Sequence, residues 1–185
     1  MITVEINGEE RQYPQGATYE DVANDYQKEY DNLIALAARD GKIRELFKKL
    51  TRDCEITFFT LKDDVGNKTY VRSATMLFLK AVFDVFGRET VQNCRVEFAI
   101  GNGSYISPKG KINATEENAA KIRNRMRELV EAKTPFLKKS YSLDNAMELF
   151  RREGMKDKEK LFRYRRGSFV NIYEMDGYYD YYYGY

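Results

Sequence analysis

Ile2-Thr3-Val4-Glu5-Ile6-Asn7-Gly8-Glu9-Glu10-Arg11-Gln12-Tyr13 opens the chain, and its reading decides how the first third folds. Apolar and polar residues alternate from Ile2 to Ile6, the pattern of a strand with one buried face. Asn7-Gly8 tolerates positive φ at both positions, so the stretch predicts a tight hairpin whose second strand runs from Glu9 to Tyr13. Beyond it, Thr18 stands three residues before Asp21, the spacing of a capping box at a helix start. Val22, Ala23, Tyr26 and Tyr30 follow at helical spacing and form the expected buried stripe. Leu33 to Ala38 reads as a buried strand, Asp40-Gly41 as a turn, and Ile43 to Leu46 as the return. Cys54 to Phe59 makes the last strand.

A sheet wrapped around one helix in this order is the β-grasp arrangement, and the fold class expected for the whole chain is α+β. Lys62-Asp63-Asp64-Val65-Gly66-Asn67-Lys68 is polar, contains glycine and separates two apolar patterns. The domains are therefore expected at residues 1–62 and 63–185. The second opens with a helix over Val71–Phe86, with Ala74, Phe78, Ala81, Val82 and Val85 on one face and Gly87 as its stop. Cys94–Ile100 and Tyr105–Ile106 read as a hairpin around Gly101-Asn102-Gly103. Thr115 starts a long helix with Glu116 and Glu117 in its first turn, where negative charge suits the helix dipole. Ser142 caps a shorter one that carries Leu143, Met147 and Phe150 and closes at Gly154.

The 185 residues contain no histidine, and the two cysteines, Cys54 and Cys94, lack pair or metal spacing. A His-dependent nucleophile and a His-containing zinc site are excluded on composition alone, and no metal is expected. Lone cysteines suit a reducing cytoplasmic location. No apolar run approaches the ~20 residues that span a bilayer, so no membrane contact is expected. The net charge of +2 is unevenly spread. Residues 1–62 carry 9 Lys/Arg against 12 Asp/Glu, and residues 63–185 carry 22 against 17. Arg151–Arg166 alone holds 8 basic and 3 acidic residues. Such a strip attracts phosphates, or is simply a solvated helix end and loop of mixed charge.

Several segments resemble one family in order along the chain. The first unit resembles a TGS domain, the small module that begins threonyl-tRNA synthetases. Tyr70-Val71-Arg72-Ser73-Ala74-Thr75-Met76-Leu77-Phe78-Leu79 looks like the opening helix of the synthetase editing domain. The hairpin Asn102-Gly103-Ser104-Tyr105, the helix from Thr115 to Lys133 and Lys138-Lys139-Ser140-Tyr141-Ser142 match the rest of that domain. Phe169-Val170-Asn171-Ile172-Tyr173 matches the approach to its Cys-x-x-x-His motif. The family's His-x-x-x-His motif falls on Ser73 and Leu77, and its Cys and His fall on Tyr173 and Gly177. The resemblance thus implies an α+β scaffold whose four site positions have all been lost, with no catalytic residue and no metal.

A second family carries the same two modules ahead of a P-loop kinase domain, in bacterial proteins that look like uridine kinases. Their second module resembles this one in lacking the histidines and in its Tyr- and Gly-rich ending, here Met175 to Tyr185. This chain has no Gly-x-x-x-x-Gly-Lys-[Ser/Thr], since Gly66-Asn67-Lys68-Thr69 holds only the last letters. The implied function is a non-catalytic accessory or regulatory region of a uridine or nucleoside kinase, whose kinase domain would follow residue 185. ATP and Mg²⁺ would belong to that domain, the chain itself needing no cofactor, and the domain would be the main partner. The chain alone is then not an enzyme, and its stop inside a patterned segment agrees with a longer polypeptide. The alternative is a free-standing, synthetase-derived RNA- or tRNA-binding module without editing activity.

Tyr173–Tyr185 holds seven tyrosines in thirteen residues, and three readings stay open for Tyr178, Tyr179, Tyr181 and Tyr182. They pack against the old site, they receive a following domain, or they stack nucleobases beside Arg163, Arg165 and Arg166. Catalysis by Glu97, Asp176 or Asp180 has no motif behind it.

Overall fold

The computed structural model describes residues 1–101, 103–109 and 112–183; Asn102 of the expected hairpin turn and the last two residues of the Tyr-rich ending lie outside them. The chain divides into two compact units, Met1–Ser73 and Ala74–Tyr183.

In the first unit, β1 (Ile2–Ile6) and β2 (Glu9–Tyr13) pair antiparallel, Ile2 opposite Tyr13 and Ile6 opposite Glu9. Asn7 and Gly8 join them with φ of 54° and 82°, the left-handed pair that a two-residue hairpin of this twist requires. Helix α1 (Tyr19–Tyr26) starts from the full capping box: the Asp21 amide donates to Thr18 Oγ1 at 3.1 Å, and the Thr18 amide donates to Asp21 Oδ2 at 2.8 Å. Strands β3 (Ile34–Arg39), β4 (Lys42–Glu45) and β5 (Cys54–Thr60) complete a five-stranded sheet of order β2-β1-β5-β3-β4, with β1 and β5 parallel. Tyr19, Val22, Ala23 and Tyr26 of α1 are buried in one core with Ile2, Val4, Ile6, Ile56 and Phe58 of the sheet. Tyr30 lies past the helix, after a short 3₁₀ turn, and meets Phe58 edge-on at 6.0 Å.

Helix α2 runs from Asp64 to Phe86, seven residues earlier than the apolar pattern suggests. Its first bond is made by the Asn67 amide to the Asp63 carbonyl at 2.8 Å, and the Asp63 carboxylate accepts from the Thr60 amide and hydroxyl at 2.6 and 2.9 Å. The polar stretch after Lys62 is therefore the first turn of a helix with its charged side chains exposed, and Lys68 and Asp64 form an i,i+4 pair there. Gly66, ordinarily a helix breaker, is buried there because the end of β5 comes too close for a side chain. A Cβ on Gly66 would stand 2.0 Å from the Thr60 carbonyl oxygen. Gly66→Ala is expected to destabilise the first unit by about 2–3 kcal/mol, the upper range for overpacking. Urea unfolding checks this, and an unshifted midpoint would remove the constraint.

In the second unit, the remainder of α2 is followed by α3 (Arg88–Asn93), the hairpin β6 (Arg95–Ile100) and β7 (Gly103–Ser107), and α4 (Glu116–Glu131). Then come β8 (Leu137–Ser142), α5 (Leu143–Arg152), α6 (Lys156–Arg163), β9 (Phe169–Met175) and β10 (Tyr178–Asp180). The last three strands form an antiparallel sheet of order β10-β9-β8. Alternation along β9 serves two cores, one on each face. Met175 joins Met76, Leu79, Val82, Ile122, Leu129 and Tyr178, while Val170 and Ile172 join Ala146, Leu149, Phe150 and Phe162. The caps of α4 and α5 are those expected: Thr115 and Ser142 accept from the amides of Asn118 and Asn145, each at 3.3 Å. Part of the basic strip is a true helix, α6, anchored by Phe162. Among the described residues, no helix is long and apolar enough to cross a membrane.

Candidate functional site

The four positions of the expected lost site come from α2 and from the β9–β10 hairpin. Ser73 is half-buried, and its hydroxyl donates to the Thr69 carbonyl one turn back at 3.0 Å, the usual bond of a helical serine. Leu77 and Tyr173 are both half-buried and pack against the same core of the second unit. The Tyr173 ring meets Tyr182 edge-on at 6.0 Å, and the Lys138 ammonium lies 5.4 Å from its centroid. Gly177 has no side chain to offer. Asp176 and Gly177, with φ of 44° and 79°, are the two central residues of a tight turn, and Met175 pairs directly with Tyr178 across it. A side chain at Gly177 would be strained by that backbone. The four positions thus provide a hydroxyl bound to backbone, an aliphatic chain, a packed phenol and a bare turn.

The charged groups beside them are tied to one another. Lys80, one turn beyond Leu77, is only 2% exposed. Its ammonium donates to Asp84 Oδ1 at 2.8 Å and to the Asp176 carbonyl at 2.6 Å, with Asp176 Oδ2 at 3.2 Å. Arg125 holds the other oxygen of Asp84 at 2.9 Å. Lys80 therefore fastens the Asp176-Gly177 turn to α2.

Asp180 is buried and saturated. It accepts from the Tyr181 amide at 2.7 Å, pairs with the Lys158 ammonium at 2.9 Å and receives the Tyr178 hydroxyl at 3.3 Å. Burial pushes the Tyr178 phenol well above its ordinary value, and the Asp180 charge adds to this. Burial raises the Tyr182 phenol too; its oxygen lies outside hydrogen-bond geometry, so Asp180 acts on it through space. Burial opposes charge on Lys158, but Asp180 outweighs it and the ammonium titrates above its usual value. The phenols stay protonated and the ion pair stays closed at neutral pH. Nothing in this cluster is poised to take a proton. Glu97 lies on the exposed strand β6.

Tyr179 and Tyr181 also pack inward, whereas Tyr183 is exposed. Tyr181 meets Phe162 edge-on at 5.0 Å and is bonded through its hydroxyl to Arg165, while Tyr179 packs against the α5–α6 core. Arg163 and Arg166 are exposed, Arg163 reaching Glu159 at 3.0 Å. Lys80–Asp84 and Glu159–Arg163 were open to sequence reasoning as i,i+4 pairs, whereas Lys158–Asp180 joins separate elements. A cavity of about 320 Å³ lies apart from these groups, lined by Phe78, Cys94, Ile106 and Ile122 and by the start of α4. Burial raises the Cys94 thiol, so it is not an activated nucleophile. No three His, Cys, Asp or Glu side chains converge among the described residues.

No family model matches the chain. It is similar to threonine–tRNA ligases: 27% identical over 177 residues to that of Thermotoga petrophila, covering 90% of this chain and 27% of the relative. The ligase of Maricaulis maris is 27% identical over 183 residues, 93% of this chain and 28% of the relative. That of Rhizobium etli is 27% identical over 175 residues, 94% and 26%. The chain spans about a quarter of the length of the curated relatives it matches.

Proposed function

We propose that the chain is a non-catalytic module derived from the N-terminal region of threonyl-tRNA synthetase and that it binds RNA. The observation that carries this reading is similarity to threonine–tRNA ligases along nine-tenths of the chain, combined with the residues Ser73, Leu77, Tyr173 and Gly177, which supply no base. On this reading the first unit is a TGS-type β-grasp domain and the second is an editing-like domain that has kept its scaffold. The placement ahead of a uridine kinase domain, with its ATP and Mg²⁺, draws no support from a similarity that runs to ligases. The test is anisotropy of a labelled tRNA against residues 1–185. Binding is expected at roughly 10⁻⁶–10⁻⁴ M with strong salt dependence, and no binding at 50 mM salt would overturn the reading.

A further inference from the structure

Two carboxylates of the second unit each hold two arginines. Glu159, with a side chain 13% exposed, receives Arg151 Nε and Nη2 at 3.4 and 3.3 Å and Arg163 Nη2 at 3.0 Å, all on the single atom Oε1. Glu153, at 12%, pairs through Oε2 with Arg88 at 2.7 Å and through Oε1 with Arg152 at 3.4 Å. The four arginine side chains are 45–69% exposed. Arg151 and Arg152 are neighbours at the end of α5, so the two clusters adjoin and carry four positive charges over two negative.

Stability does not require that excess. Solvent-exposed ion pairs contribute little, and one arginine would neutralise each carboxylate. What a shared carboxylate does is hold two guanidiniums side by side with most of their five N–H donors directed elsewhere, an arrangement that suits a phosphate oxygen. On α6, Lys156 and Lys160 lie on the same stripe as Glu159 and Arg163, and neither has an acidic partner among the described residues. Tyr164, 88% exposed, follows one turn after Lys160. Phosphate-seeking cations around an exposed aromatic ring are the parts of a nucleic-acid surface.

We propose that this face, the end of α5 with the outer stripe of α6, is where the RNA backbone binds: the two arginine pairs take phosphates, Lys156 and Lys160 extend the track, and Tyr164 stacks on an unpaired base. The assignment rests on the reading that the chain binds RNA. It favours RNA over an acidic protein because the aromatic ring stands among the cations.

The test follows labelled tRNA by anisotropy from 50 to 300 mM KCl, with circular dichroism on every variant. Arg151→Gln/Arg163→Gln is expected to lower the magnitude of the salt slope by about two. Lys156→Gln/Lys160→Gln, which disturbs no ion pair, should do the same with the fold intact. Tyr164→Ser should weaken binding about five-fold or more and leave the slope unchanged. A wild-type slope in both charge variants, with wild-type binding present, would overturn the surface and leave the RNA reading standing. Absence of binding by the wild type would remove both. Labelled polyglutamate binding as tightly as tRNA, with Tyr164→Ser without effect, would assign the face to an acidic protein and overturn the proposal.

Discussion

Phe162→Ala is expected to cost about 3–5 kcal/mol, the range for deleting a fully buried aromatic ring. Phe162 is 0% exposed and is the buried residue of α6. Its ring lies 5.4 Å from Phe150 and 5.0 Å from Tyr181. The rest of α6 is nearly all charged, so little else holds it to the protein. Loss of the ring would free the helix, and the Lys158–Asp180 pair and the Glu159 cluster would loosen with it. Urea unfolding of the second unit measures this, and Phe162→Leu should recover most of the loss because it refills much of the volume. An alanine variant within 1 kcal/mol of wild type would show that α6 is anchored otherwise.

Lys80→Ala is expected to be nearly as damaging, at about 2–4 kcal/mol, because it removes a side chain that is only 2% exposed and leaves a cavity, and because it takes away a hydrogen-bond donor. Asp84 keeps Arg125, but the Asp176 carbonyl loses its 2.6 Å donor and the turn is released from α2. Lys80→Met keeps the length of the chain in the core and should be milder, since apolar replacement of a buried ion is often tolerated. A Lys80→Met variant with a wild-type unfolding midpoint would show that the ammonium is not the tie described.

The strands of the first unit were legible because a half-buried strand leaves a period of two, and Asn7-Gly8 and Asp40-Gly41 mark the turns. The start of α2 was not, because Gly66 reads as a breaker unless the close approach of Thr60 is known. Helix α6 was hidden by its charge, with Phe162 as the one strong apolar signal. The ties around Leu77 and Gly177 were beyond reach: Lys80 and Asp176 are 96 residues apart, and no local pattern links them. Ser73, Leu77, Tyr173 and Gly177 were singled out only by family resemblance, and the structure adds what each of them does. The left-handed turn at Gly177 is the clearest case, since it favours glycine for reasons unrelated to catalysis.

The most direct measurement is a hydrolysis time course on a mischarged threonine tRNA held in complex with stoichiometric residues 1–185 at low salt. Retention of the RNA by the protein, with ester loss no faster than in buffer, is the expected result. Ester loss accelerated by the bound chain would contradict the account, because it would require a working base or nucleophile where the structure provides a packed phenol, an aliphatic side chain and a bare turn.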